Sequence, residues 1–373
     1  MDPISDAEWK IVQRSLPQGW AEQARLTGAF RRARYLKTPS ELLRVLLLRA
    51  VSDAGLRGTV AHARASGIAE MSDVALLKRL RTSRNWLRWI AAGLSESLRS
   101  ASLSPKGMRI RAVDSTVVNQ PASKGIDWRL HYTINLDSMA CDWHELTDGK
   151  GGESLERVPV EPGDVFLGDR NFGGLKGIQH VVSREGDVLV RMRWRGHFAL
   201  IDKKNRPIQI LRLLRGLRAG EVGDWPVRSA ANTDGRSEIQ GRIVAIKLPR
   251  PIADKAVSRI VRVAVAKGKS LDPRSIEAAR YVFVFTTLPA TLLNATAILE
   301  LYRYRWQIEL AFKRHKQILK LGRLPHQDPR AAESWILAKL VVALLLEGLY
   351  RCAVTFSPWG YLLPPDESPP LVQ

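Results

Sequence analysis

The sequence predicts a mixed α/β protein with three textures. Residues 1–102 are almost wholly of helical pattern. A strand-rich stretch follows the turn residues Ser104-Pro105-Lys106-Gly107, and helical pattern returns after Pro289. An apolar fraction of 45% over 373 residues is ample for a buried core with room for two or three domains.

In the first 102 residues, Glu41–Leu48 reads as a helix opening behind Ser40, an N-cap residue following Pro39. Two further helical segments, near Thr59–Ser66 and Asp73–Arg81, are joined through Gly67–Ser72. The pair resembles a helix-turn-helix as much as any small helical bundle, with Lys78, Arg79 and Arg81 on its second member. Beyond Gly107, apolar or β-branched runs at Met108–Val113, Leu130–Asn135, Ala140–Leu146 and Val165–Leu167 predict four strands. A loop carrying Gly149, Gly151 and Gly152 and a short helical stretch precede the fourth. That order is the one expected of an RNase H-like core. From Asp187 to Thr286 the runs DVLVRMRW, HFALID, EIQGRIVAIKL, SRIVRVAVAKG and YVFVFTT read as strands, mostly of a β-rich insertion ahead of the last core strand, Tyr281–Thr286. The expected organisation is a helical domain over 1–103, whose helix-turn-helix pattern would suit DNA binding, and a first part of the core over 104–190. The insertion occupies 191–280; the last strand, a catalytic helix and a C-terminal helix occupy 281–350; and 351–373 form a tail. Its proline-rich end, Leu363–Pro370, is expected to be loose.

The net charge of +21 and pI of about 10.4 arise from arginines and lysines spread along the whole chain. Such an excess points to a polyanionic partner rather than a membrane surface, for which a compact basic amphipathic anchor is missing. With only Cys141 and Cys352 there is no disulfide framework and no thiolate zinc site. Residues 1–10 have no apolar signal core, and the longest apolar run, Trp335–Leu346, is too short to span a bilayer and reads as a buried helix. The expected setting is cytoplasmic, in contact with nucleic acid.

Near the C-terminus stands Tyr302-x2-Arg305-x3-Glu309-x6-Lys316. On one helix these residues fall at about 0°, 300°, 340° and 320°, a stripe roughly 60° wide. Ile298, Leu301, Ile308, Phe312 and Leu319 form the apolar face beside it. Metal-assisted phosphodiester cleavage needs carboxylates able to hold two divalent ions about 3.5–4 Å apart, and Mg2+ favours carboxylates with water and phosphate completing its shell. Asp114 in RAVDST ends an apolar run; taken alone it is equally an N-cap or turn aspartate. Asp169 in VFLGDRNFGG ends another, where a plain strand-to-helix turn explains it as well. Its rival Asp164 precedes the strand as a turn residue. Glu309 alone would be a solvated helix residue paired with Arg305 or Lys313. Together the three acids stand in the order and settings that such chemistry requires.

RAVDST, VEPGDVFLGDRNFGG and YRYRWQIELAFKRHK resemble the three acidic motifs of the IS4 family of DDE transposases, and HELTDGKGGESLERVPVEPGDVFLGDR is similar to the segment before the second aspartate. The resemblance runs over residues 39–350. It implies that Asp114, Asp169 and Glu309 form the catalytic triad and bind two Mg2+ or Mn2+ ions, and that Tyr302, Arg305 and Lys316 contact phosphates near the transposon end. It also implies cut-and-paste chemistry on double-stranded DNA at terminal inverted repeats and in the target, by a homodimer in a synaptic complex associated with the bacterial nucleoid. Some members use an aromatic residue from the insertion to stack on a flipped base. Trp194 and Trp225 are the candidates here, with core packing the commoner use of each. Trp306 is expected to pack against the insertion or a second helix, and His131 to be a core histidine; Glu153 matches a family position without a derived role. An RNase H-fold nuclease and a non-enzymatic transposase-derived DNA-binding protein are the rival readings.

Overall fold

A computed structural model describes residues 6–355 apart from 53, 100–106, 121, 124, 231–237, 318, 323, 326 and 327. The boundary at Ser104–Lys106 and the end over Leu363–Pro370 lie outside the described residues.

Five helices lead: α1 (Asp6–Arg14), α2 (Trp20–Leu26), α3 (Pro39–Val51), α4 (Leu56–Ala65) and α5 (Asp73–Leu98). The N-cap of α3 is Thr38, not Ser40. Its hydroxyl accepts from the Glu41 N–H at 3.1 Å, while the Glu41 carboxylate accepts from the Lys37 N–H at 2.6 Å. With Pro39 at the first helical position, this is a capping arrangement that leaves few amide donors unsatisfied. Ser40 instead accepts hydrogen bonds from Trp9 and Gln13, tying α1 to α3. The helix expected over Asp73–Arg81 continues for 26 residues as α5. Two of its basic residues are engaged within the chain: Arg79 donates to the carbonyls of Ala29 and Arg32, and Arg81 pairs with Asp328.

The strands β1 (Arg109–Val118), β2 (Trp128–Asn135) and β3 (Ala140–Asp148) form an antiparallel meander. A 3-10 turn at Leu155–Arg157 leads to β4 (Asp164–Gly168), which runs parallel to β1. Then α6 (Leu175–Val182) crosses to β5 (Asp187–Arg191), parallel to β4. The order β3-β2-β1-β4-β5, with its first three strands antiparallel, is the RNase H-like arrangement. The chain continues through β6 (Leu200–Ile201), α7 (Ile210–Arg215), β7 (Val222–Ser229), β8 (Gln240–Lys247), α8 (Arg250–Ala266), α9 (Pro273–Ala278) and β9 (Tyr281–Thr286). These strands extend the same sheet as β5-β9-β8-β7-β6. The run SRIVRVAVAKG, expected as a strand, is the C-terminal part of α8. Its valines are mostly solvent-facing, with Val263 49% and Val265 74% exposed, so no sheet claims them.

After β9 come α10 (Ala295–Arg303), α11 (Trp306–Gln317) and α12 (Pro329–Thr355). The single helix expected beneath the Tyr/Arg/Glu/Lys spacing is therefore broken at Tyr304 and Arg305. Trp306, expected to be packed, is 49% exposed at the start of α11. Trp335–Leu345 of α12 is buried against α5 and α3 as anticipated, and no helix among the described residues is long and apolar enough to cross a membrane.

Alternation along β1 and β4 assigns their faces. Ala112 packs in the cluster with α5, α11 and α12, and Val165 and Leu167 pack with α10. Val113 and Phe166 pack on the opposite face with α6 and α7. On that opposite face Arg109 and Arg111 both meet Asp164, at 2.6 and 3.0 Å, and Arg111 also meets Asp142 at 2.7 Å. Asp164 is thus the first residue of β4 and fully buried, rather than a turn residue. The Arg111 guanidinium also lies over the Phe166 ring at 4.9 Å. Removing one member of such a cluster leaves uncompensated buried charge. Asp164→Ala is expected to lower stability by about 3–5 kcal/mol, read from the midpoint of urea unfolding. A loss below about 1 kcal/mol would show that the cluster does not hold the two strands together.

Candidate active site

Pairing of β1 with β4 ends at Ala112 opposite Leu167. Continuing that register by two residues puts Asp114 opposite Asp169 on the face shared with α10 and α11, where neighbouring strands run about 4.8 Å apart. Of the two placements the sequence allowed, a strand terminus or an exposed strand edge, Asp114 takes the edge: it lies inside β1, which runs on to Val118 paired with β2 alone. What opens the edge beside Asp114 is the end of β4. Gly168 permits this turn: a side chain there would meet the Phe172 Cβ at 2.8 Å, and its carbonyl accepts the Tyr302 hydroxyl at 3.3 Å.

The two aspartates are held alike. One oxygen of Asp114 accepts from the Ser115 N–H and one of Asp169 from the Asn171 N–H, each at 2.7 Å. The second oxygen of each accepts no hydrogen bond among the described residues. Burial pushes the Asp114 carboxyl up to about 7; the Ser115 amide opposes this, Asp169 adds to it, Arg305 opposes it, and Glu153 adds to it.

Glu309 reaches the site on α11, which packs against β1. One turn further along α11, Phe312 rests on Tyr132, the residue paired with Asp114 (ring centres 5.8 Å apart). Asp114, Glu309, Lys313 and Lys316 line one open cavity of about 420 Å3. Glu309 is ion-paired with Arg305. Arg305 is drawn toward its charged form by Tyr302, Glu309 and Asp114, which outweigh its burial. The structure therefore brings Asp114 and Asp169 side by side and Glu309 and Lys316 around the cavity, with Arg305 between the acids.

Tyr302 is 8% exposed, its ring 5.9 Å from the Arg305 guanidinium; it anchors α10 to the backbone before Asp169. Trp225 lies over Gly223, where an added Cβ would meet its ring at 2.1 Å, and rests on the insertion side of the core. Trp194 is half-buried, donates to Ser275 at 3.0 Å and has the guanidiniums of Arg195 and Arg274 4.7 and 4.5 Å from its ring centre. His131 is buried against Thr147, its imidazole pushed down to about 4 by burial.

Sequence reasoning missed two features. Glu153, left without a role, accepts the Ser115 hydroxyl at 2.5 Å and pairs with Arg129 at 2.8 Å, bracing the residue beside Asp114. Arg170 follows Asp169 with Arg191 and Arg193 near it; burial lowers the Arg170 pKa, and Arg191 and Arg193 lower it further. The alternation in RMRWRG and the arginine directly after Asp169 were the available signals.

The donor set suits a divalent cation of the oxygen-preferring kind: two adjacent carboxylates with an unengaged oxygen each, one of them raised chiefly by burial and further by Asp169. Among the described residues, however, no three acidic, histidine or cysteine side chains are already drawn together as a ligand cluster. Glu309 faces Arg305 rather than the aspartates.

The family described as "Transposase DDE domain" matches residues 105–345. The chain belongs to the DDE transposases. It is 32% identical over 347 residues to the putative transposase InsL of insertion sequence element IS186A from Escherichia coli (strain K12), covering 92% of this chain and 93% of that protein. It is also 32% identical over 348 residues to the Escherichia coli transposase for insertion sequence element IS421, with the same coverage. These likenesses place this transposase with the insertion-sequence enzymes of IS4 type. Its fold is similar, at a TM-score of 0.49 and 9% identity, to a piggyBac transposase in a cryo-EM structure of a synaptic complex with hairpin DNA, covering 97% of this chain and 76% of that one. Divalent metal use is general to DDE transposases.

A carboxyl raised in the folded state holds more protons there than in the unfolded chain between the two pKa values. Stability therefore falls as pH rises from about 4 to about 7, and the full penalty applies above that. Asp114→Asn is expected to be more stable than the parent at pH 8, with the gap closing below pH 4. Mn2+ is expected to raise the parent's melting temperature more at pH 8 than at pH 6 and to leave the variant unmoved. Equal responses at both pH values would contradict the placement of Asp114.

Proposed function

We propose that this transposase cuts DNA at the terminal inverted repeats of an IS4-like insertion sequence and joins the freed 3′ end to target DNA. Asp114, Asp169 and Glu309 would hold two Mg2+ ions for that work. The observation that carries the reading is the extended register of β1 and β4, which sets Asp114 beside Asp169 on the face where α11 presents Glu309.

Bound divalent ions would supply an activated attacking oxygen and stabilise the departing one. Asp114, within β1, and Asp169, just past the end of β4, are each fixed through one oxygen to a nearby amide and present the other oxygen. Glu309 completes the set only by exchanging Arg305 for the aspartate side of the cleft. The guanidinium thus released is suited to a phosphate, as is the Lys316 ammonium at the cavity wall. Arg170, Arg191 and Arg193 extend the positive surface past Asp169. Tyr302 acts by positioning the Gly168–Asp169 turn. Of the two tryptophans, Trp194 is the better placed for DNA, since Trp225 is spent on Gly223 and the core.

The helical segment before β1 would bind the terminal repeats. Two protomers would bring two ends together, acting on nucleoid DNA in a bacterial cytoplasm.

Glu309→Gln is expected to lower metal-dependent cleavage of a terminal-repeat duplex by more than about 100-fold, with duplex affinity nearly unchanged in an anisotropy titration. Persistent cleavage would remove Glu309 from the set. Arg305→Ala and Lys316→Ala are each expected to reduce the slope of log affinity against log salt by about 0.9. An unchanged slope would turn both residues away from the DNA.

A further inference from the structure

Between β8 and β9 the chain forms a pair of helices, α8 and α9, that takes no part in the proposed chemistry. Its place follows from the strand register. Gly168 pairs with Val190, Arg191 with Val284, and Val284 with Val244, so Asp169 stands level with Val244 of β8. β8 runs in the same direction as β4, and its last residue, Lys247, lies three positions beyond that level. The helix pair therefore leaves and rejoins the sheet at the edge that carries Asp114 and Asp169, three strand spacings, or about 14 Å, from β4. Past the same end of β5, Trp194 donates to Ser275 and Arg195 pairs with Asp272, each at 3.0 Å, which fixes α9 to that edge.

α8 itself is barely packed. Of its 17 residues only Ala253 is buried, and it lies chiefly against α9. Counted from Arg250 at 100° per residue, Ala253 and the partly buried Ala256, Val257, Ile260 and Ala264 fall between about 240° and 340°. Lys255, Arg259 and Arg262 fall at about 140°, 180° and 120°, and all three are exposed. They form a stripe of cations turned away from the packed face. None of them has a hydrogen-bond or ion-pair partner among the described residues. Asp254, the one carboxylate of α8, faces Arg250 on another side of the helix.

Like charges three and four residues apart weaken a helix, so the stripe works against α8 unless an anion covers it. From Lys255 to Arg262 it is about 10.5 Å long, the rise of about three base pairs. The exposed valines do not supply a seam for a partner helix. Val261 and Val265, at about 20° and 60°, and Val263, at about 220°, lie on opposite flanks.

We infer that Lys255, Arg259 and Arg262 of α8 hold the phosphate backbone of the duplex whose cleavage point lies at Asp114 and Asp169. This contact rests on the reading of the protein as a DNA-cutting transposase, and lies outside both the acidic cleft and the N-terminal helices.

The test uses the full chain and a labelled duplex of the element's end, with anisotropy read across a salt series and cleavage followed with Mn2+. Lys255→Gln, Arg259→Gln and Arg262→Gln are each expected to reduce the slope of log affinity against log salt by about 0.9, and the triple variant by about 2.7. Arg250→Gln, on another side of the same helix, is expected to keep the parent's slope. Melting temperatures of the stripe variants are expected to equal or exceed the parent's, since glutamine suits a helix and like-charge repulsion is relieved. The single variants remain readable should the triple one fold poorly. Cleavage by the triple variant is expected to fall by at least about 10-fold with duplex below saturation, and to match the parent at saturation. Stripe-variant slopes equal to the parent's, or an equal change in Arg250→Gln, overturn the contact and leave the transposase reading in place. Weaker binding with cleavage unchanged below saturation shows that α8 holds a different duplex and overturns it too. So does intact DNA binding with an altered oligomeric state in sedimentation, which makes α8 an interface between copies. A parent that binds no duplex at all overturns the transposase reading itself, and the α8 contact with it.

Discussion

The parallel contact between β1 and β4 is the constraint from which the active site follows. Two faces of the same strand pair do different work. On one, Arg109 and Arg111 grip Asp164 and set the strands side by side in a fixed register. On the other, two residues past the last paired position, that register delivers Asp114 and Asp169 as neighbours. Because side chains alternate along a strand, a slip of one residue would exchange the guanidiniums for the catalytic candidates. Structural charge and chemical charge are thereby kept on opposite sides of the sheet.

The acids on the chemical side are not at rest with one another. Burial, with the nearby anions Asp169 and Glu153 adding to it, holds Asp114 near a pKa of about 7, against the Ser115 amide and the charge of Arg305. The same arginine is ion-paired with Glu309. Glu309 thus rests on a guanidinium supplied by the turn between α10 and α11. Divalent cations would remove the repulsion at Asp114 and give Glu309 a better partner than Arg305, while DNA phosphate would give Arg305 a better partner than Glu309. On the proposed function, metal and DNA binding would be coupled through this exchange.

Much of this was legible in the chain. Apolar runs ending at Val113 and Leu167 located β1 and β4, and the order of strands gave the RNase H-like core. The four-residue spacing drew attention to Glu309 and Lys316, which line one cavity with Asp114. The failures have physical causes. A helical wheel assumes an unbroken helix, and nothing in YRYRW announces the turn at Tyr304–Arg305. The valines of α8 alternate with arginines as in a strand, yet no partner strand is left to receive them. Asp164 looked like a turn residue because the arginines that bury it lie 53 and 55 positions away in sequence. Glu153 and the arginines beside Asp169 are brought in by tertiary contact, which spacing alone does not carry.

On the proposed function, three acids far apart in the chain would grip the same cations. Anomalous diffraction from crystals of the full chain with its end duplex and Mn2+ tests this most directly. The account predicts anomalous peaks within coordination distance of carboxylate oxygens from Asp114, Asp169 and Glu309, with Arg305 moved onto a phosphate. Peaks held by the two aspartates together with Glu153, with Glu309 still on Arg305, would contradict it.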